Sequence, residues 1–302
     1  LKKLTTEDYP LLKGYFEQQP YRLGAYSLPS AIAWSNACYQ SFYDIVDGMV
    51  IMTTDVAGSP DNRYMLLPVA PSGYPTTEIL RDLLLKEGYE KICFVPEYSL
   101  EQIGRGSLEK AFTIEEQREY EDYIYLTKDL SDLKGNRYAK KRNLIHQFTR
   151  EYVQHNRVLT GPLTTDEISE CLEFLEKWCA QRECETGQEE NLACEKAAVI
   201  KALQTIGDMD WRGLWVRLDG EISAFVIMSH LTKQMGVLNF EKAYPQIKGL
   251  YQFLDNECAR QLFHDYLYIN KESDMGLAAL ADSKKSYQPC EKIKSYCLKL
   301  KP

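Results

Sequence analysis

The first residues here whose types and spacing suggest chemistry are Gln246-Ile247-Lys248-Gly249-Leu250-Tyr251, set between an apolar strand-like run, residues 234–240, and a helical pattern, residues 250–263. A tight strand-to-helix turn presents backbone N–H groups at a helix N-terminus, where the helix dipole and the unsatisfied donors favour a phosphate. In a turn of the form Gln/Arg-x-x-Gly-x-Gly/Ala, the last small residue lets a pyrophosphate approach the backbone. Tyr251 stands at that place, so either the nest is narrow or a different carrier is used. Gly249 also has a plain reading, as a helix-entry glycine. A second anion-facing candidate is the run 134–142, which holds five cations in nine residues, Arg137, Lys141 and Arg142 among them, and no acid. It suits a phospholipid headgroup, a nucleotide or a tRNA end, or else forms a solvated helix face.

The whole chain balances differently. Its 302 residues carry a net charge of −8, which argues against general DNA or RNA binding because phosphate neutralisation needs a positive field. No apolar run reaches the length of a membrane span, and Leu1-Lys2-Lys3-Leu4-Thr5 is not followed by a signal-like stretch, so no integral membrane segment is expected. The nine cysteines are scattered, odd in number and without a C-x-x-C pair, and the four histidines have no ligand spacing with them. Reduced, mostly buried thiols in a cytoplasmic protein without a metal site are expected.

These residues need elements to position them. The first half reads as a helix over 6–18, strands over 31–34, 41–46, 49–54 and 64–68 with a hairpin at Asp47-Gly48, a helix over 76–87, a strand over 91–95, a helix near 99–104 and a strand over 120–126. A long helix over 136–152 bridges to the second half. There a strand over 155–160, helices over 165–182 and 192–206 separated by a loop over 183–190, and strands over 212–218, 222–230 and 235–240 lead to the anion turn and its helix. A strand over 266–270, a helix over 277–285 and a strand over 292–300 follow. The repeated plan predicts a duplicated α/β (α+β) unit, divided as 1–134 and 135–302, each half a mixed, mostly antiparallel sheet flanked by helices.

Two stretches carry a resemblance. Leu133-Lys-Gly135-Asn-Arg-Tyr138-Ala-Lys-Lys141-Arg142-Asn-Leu-Ile145-His-Gln-Phe148 resembles the L-x-G-x-x-Y-x-x-K-R-x-x-I-x-x-F segment of a bacterial family similar to the C-terminal, catalytic part of phosphatidylglycerol lysyltransferases. Asn270-Lys-Glu272-Ser-Asp274-Met-Gly276 and Lys284-Lys-Ser286-Tyr287-Gln-Pro289 resemble its N-x-E-x-D-x-G…K-x-S-Y-x-P signature. The resemblance implies tandem GNAT acyltransferase folds, related to enzymes that use aminoacyl-tRNA to modify membrane lipid or build peptidoglycan bridges. Ala281 stands where that family usually places an Arg, and the membrane-spanning flippase part of the lipid enzymes has no counterpart in these residues.

Acyl transfer to an amine or hydroxyl needs a base, an oxyanion donor and a held carrier. Glu241 is the candidate base, or one half of a surface pair with Lys242. Asn239, two residues earlier and expected on the same strand face, would orient a carbonyl or cap a sheet edge. Lys284 would neutralise a carrier phosphate and Tyr287 protonate a leaving group, unless both simply close a helix. Gln246, Lys248, Gly249 and Tyr251 would seat the carrier, coenzyme A or aminoacyl-tRNA, and Arg137, Lys141, Arg142 and Glu272 the substrate, with Glu272 paired to Arg142 or Lys141. A degenerate, non-catalytic binding module and a coenzyme-A-dependent N-acetyltransferase are the alternatives. Donor and acceptor are not legible.

Overall fold

Residues 1–59, 61–70, 73–182 and 190–302 are described in the computed structural model of the chain. In order, the elements are β1 (Lys2–Lys3), α1 (Tyr9–Phe16), α2 (Leu28–Trp34), β2 (Tyr39–Val46), β3 (Met49–Val56), β4 (Arg63–Met65), α3 (Thr77–Glu87), β5 (Lys91–Pro96), α4 (Glu97–Ile103), α5 (Arg105–Ala111) and β6 (Phe112–Glu116). Then come β7 (Asp122–Leu126), α6 (Thr127–Asp132), α7 (Ala139–Glu151), β8 (Val158–Pro162), α8 (Ile168–Arg182), α9 (Glu190–Gln204), β9 (Arg212–Leu218), β10 (Glu221–Thr232), β11 (Met235–Ala243), α10 (Leu250–Gln261), β12 (Tyr268–Asn270), α11 (Ala278–Lys285), β13 (Glu291–Ile293) and β14 (Ser295–Leu300).

The strands form two seven-stranded sheets, β1-β2-β3-β4-β5-β14-β6 and β13-β7-β12-β11-β10-β9-β8. Both are mostly antiparallel, with parallel pairing at β4/β5 and β11/β12. Tight hairpins set two of the registers. Asp47 and Gly48 both have positive φ, as do Asp219 and Gly220, the geometry that matches strand twist in a two-residue loop. The sheets exchange strands. Residues 122–126 precede the expected division at 134/135 yet pair in the second sheet, and the last strand returns to lie between β5 and β6 of the first.

Some local expectations change. Residues 31–34 are helical: Ser27 Oγ accepts the Ser30 amide at 3.3 Å and Pro29 sits in the first turn, two helix-start features that override the β-like residue types. The run 292–300 splits at Lys294, one part serving each sheet. The expected loop over 183–190, with Gly187 and Cys184, lies almost wholly outside the described residues.

One apolar cluster runs through both halves, from Leu12, Tyr21 and Ile92 to Phe174, Trp211 and Phe240. A second fills the space between the other face of the second sheet and helices α7 and α10, with Phe148, Leu250, Leu254 and Phe263. Contrary to the expectation of reduced thiols throughout, Cys38 and Cys194 form a disulfide that joins positions 156 residues apart and ties α9 to the start of β2. Cys93, Cys171, Cys258, Cys290 and Cys297 are free. Among the described residues, no helix is long and apolar enough to cross a membrane.

Candidate functional site

The site begins with a break in strand β11. Met228 pairs with Leu238 and Ile227 with Phe240, so Asn239 is an extra residue bulged out of the ladder with β10. The bulge separates two side chains that strict alternation would place together. Asn239 Oδ1 accepts from Ser229 Oγ at 2.7 Å, and its amide nitrogen lies 3.5 Å from Glu272 Oε1. Glu241 instead turns towards α10. The parallel pairing of β11 with β12 is confined to Met235–Val237 and Tyr268–Asn270, so the half of β11 that carries Glu241 has β10 alone as its neighbour.

Beside this half-strand lies an ionic cluster that sequence reasoning found only in part. Lys271 Nζ contacts both carboxylate oxygens of Asp255, at 2.6 and 2.8 Å, and Glu241 Oε2 at 3.6 Å. Lys271 and Lys141 both lie over the Tyr287 ring, 4.9 and 3.6 Å from its centroid. Burial pushes Glu241 up to about 7, helped by the Asp255 charge and opposed by Lys271. Burial opposes charge on Lys271, yet Asp255 and Glu241 beside it hold its pKa above the usual lysine range. Lys141 is half-buried, and burial brings it down to about 8. Among the described residues, no carboxylate lies within salt-bridge distance of it. Asp255 carried a signal: an acid next to the apolar stripe of Leu254, Cys258 and Ala259 on an amphipathic helix calls for a buried partner. Lys271 carried none beyond standing between Asn270 and Glu272.

Lys284 does not face a carrier. Its three N–H groups are spent on the carbonyls of Lys271, Glu272 and Ser273, at 2.5, 3.1 and 2.6 Å, and burial lowers its pKa to about 8. That grip holds a turn in which Glu272 has φ 56°, uncommon for a residue with a side chain. Glu272 points to Asn239 rather than to Arg142 or Lys141, and burial together with neighbouring Asp122 pushes it up to about 8. Asp122 accepts from the Gly24 amide at 2.6 Å and from Asn270 at 2.8 Å. A Cβ on Gly24 would lie 3.0 Å from Glu272 Cγ, so the two halves meet closely at this carboxyl pair. Tyr287 is buried, its hydroxyl pKa raised by burial and by Asp255 and Glu241.

The carrier turn is built for packing. Gly249 has φ 86°, and a Cβ there would stand 2.3 Å from the Leu144 carbonyl oxygen, so this glycine is required by the approach of α7. Leu144 meets Gly249 and, one turn on, Phe148 stacks on Phe253 with centroids 4.9 Å apart. Helix α7 thus packs on the entry of α10 through Leu144 and Phe148, while its basic start lies beside Tyr287, next to the 130–135 segment whose carbonyls accept from Asn256 and Arg260 of α10. Gln246 and Lys248 are exposed and Tyr251 half-buried. Among the described residues, no protein group accepts from the Lys248 and Gly249 amides. Arg137 pairs with Asp129 at 2.8 Å, and Arg142 donates to the carbonyls of Leu133 and Gly135. Lys141 is thus the cation of this run that points into the cluster.

Two cavities lie elsewhere between the halves, of about 560 and 720 Å³. None of the expected site residues lines either one. Tyr26 and Leu28 line the first, and Ser27 between them reaches Ser229 Oγ at 2.7 Å. A hydrogen-bonded path thus leads from that wall through Ser229 and Asn239 to Glu272.

With this geometry in view, residues 31–299 match the family described as phosphatidylglycerol lysyltransferase, C-terminal. The chain belongs to that family. Several solved structures share its architecture. A conserved protein of unknown function from Bacteroides thetaiotaomicron is 27% identical, with a TM-score of 0.89 and 99% of each chain covered. The C-terminal domain of a putative lysylphosphatidylglycerol synthetase from Agrobacterium fabrum is 12% identical, with a TM-score of 0.66 over 98% of this chain and 92% of that one. A tandem GNAT protein from the clavulanic acid biosynthesis pathway aligns at 9% identity with a TM-score of 0.51, covering 100% of this chain and 98% of that one. An uncharacterized protein of Mycoplasmoides gallisepticum is 26% identical over 179 residues, 59% of this chain. The chain spans 56% of that relative's length. The fold is GNAT-like.

Proposed function

We propose that the chain transfers an acyl or aminoacyl group from an activated, phosphate-bearing carrier to an amine or hydroxyl acceptor, with Glu241 taking the acceptor's proton. The observation that carries this reading is Glu241 itself. It is a nearly buried carboxyl on the half of β11 that lacks a β12 partner, pushed up to about 7 and set beside the Lys271–Asp255 pair. A base poised near the working pH combines availability with driving force for proton transfer. The Lys141 amine over the Tyr287 ring supplies positive potential for the carrier.

Aminoacyl-tRNA is the preferred carrier. Gly249 is taken up by contact with α7, and Tyr251 occupies the place of a small residue, so the turn offers a pyrophosphate little of the open ridge that coenzyme A needs. Titration with acetyl-CoA and with a non-hydrolysable aminoacyl-tRNA mimic tests this: the mimic is expected to raise the thermal midpoint, with the rise lost in Lys141→Ala. Protection by acetyl-CoA alone would instead establish an N-acetyltransferase. A non-catalytic module is favoured by the full engagement of Lys284, and carrier binding without any turnover by the unaltered chain would leave that module standing.

A further inference from the structure

At the seam where β14 enters the first sheet, the ladder is broken in a way that concerns two sulfurs. Tyr296 pairs with Val95 and Leu298 with Ile92, so Cys93 and Phe94 together face Cys297. Phe94 is the extra residue, with φ 57°, a costly conformation for a bulky side chain. Its amide donates to Gln117 Oε1 at 2.9 Å and its carbonyl accepts from Tyr26 OH at 3.1 Å, which fixes it outside the ladder. Cys93 is thereby left opposite Cys297. The two sulfurs are 3.0 Å apart and both are buried. That separation is about one ångström longer than a disulfide bond, on neighbouring strands whose spacing suits one. The hydrogen bond that Cys93 donates holds the Cys297 thiol below its usual range, and Lys91 and Lys299 act in the same direction.

We propose that Cys93 and Cys297 are a modification site, a dithiol that closes to a disulfide on meeting a low-molecular-weight disulfide and so fastens the exchanged strand to β5. The Cys297 thiolate attacks one sulfur of the reagent and releases the first small thiolate, forming a mixed disulfide. Cys93 loses its proton and attacks Cys297 Sγ, releasing the second small thiolate. The protein gives up two electrons and two protons, and the reagent becomes two thiols. The bond closes a span of 204 residues and anchors the chain a short distance after Tyr287, so it also restrains the corner over Lys271.

The full chain is treated with graded oxidised glutathione, quenched in acid, unfolded, capped with N-ethylmaleimide and mapped by mass. Expected is one peptide pair joined through positions 93 and 297, two hydrogens lighter and reversed by dithiothreitol, with a thermal midpoint raised by about 5–10 °C. Cys93→Ser and Cys297→Ser are to lose both the joined pair and the shift. Full capping of both thiols under conditions that glutathionylate exposed Cys290 overturns the proposal, as does a bond from either to another cysteine. Should the serine variants fail to fold, the peptide map of the unaltered chain decides.

Discussion

A carboxyl held near neutrality has two separable consequences at Glu241. Its folded pKa, about 7, lies above the ordinary glutamate value of 4.5, so the folded chain binds the extra proton more tightly than the unfolded one. The stability this group contributes is therefore present below about 4.5 and is lost as pH rises towards 7. Catalysis runs the other way, because only the deprotonated form accepts a proton. The rate constant kcat/KM is expected to climb through pH 7, and Glu241→Gln to lower turnover by about 10²–10⁴-fold and abolish that limb while the thermal midpoint at pH 8 holds or rises. A variant that keeps the limb would move the base elsewhere, Glu272 being the first place to look. Lys284 is a positioning residue. Lys284→Met leaves three carbonyls without their donor and is expected to cost about 3 kcal/mol or more in urea unfolding. An unchanged urea midpoint would show that the 271–273 turn stands without it.

Elements explain why some of this was legible and some was not. Gly249→Ala meets both a left-handed backbone and the Leu144 carbonyl, so a loss of more than about 1 kcal/mol is expected, read as a lower urea midpoint with an unchanged slope. From the sequence, the turn read as an anion seat because a glycine at a helix start suits a ligand and a neighbouring helix equally well. Only the position of α7 separates the two. The hairpin at Asp47-Gly48 was legible because positive φ at both turn positions leaves few choices. The bulge at Asn239 was not, since an extra residue changes register without altering composition, and with it went the expectation that Asn239 and Glu241 share a face. Residues 31–34 look like a strand by type, and what decides against it is the cap at Ser27. Lys284 and Tyr287 were found as a pair, but whether a lysine amine meets a phosphate or three carbonyls depends on a turn contributed by β12.

Across the molecule, contacts distant in sequence hold the halves as one body. The Cys38–Cys194 bond restricts the unfolded chain over a long span, and α9 also clasps the first half through Lys201 Nζ on the Ser35 carbonyl at 2.9 Å. Cys194→Ser is expected to cost about 2–5 kcal/mol, with the difference vanishing when both proteins are compared in reductant. A persistent difference in reductant would place the cost in packing.

The exchanged strand has a further consequence for synthesis. β14 lies between β5 and β6, so a nascent chain leaving the ribosome holds the first sheet with an unfilled slot until residues 295–300 emerge. Until then two strand edges stand open to other chains, which is the condition under which holding chaperones bind. Translation past the midpoint thus completes neither half, and both sheets close only after the ribosome has finished this region.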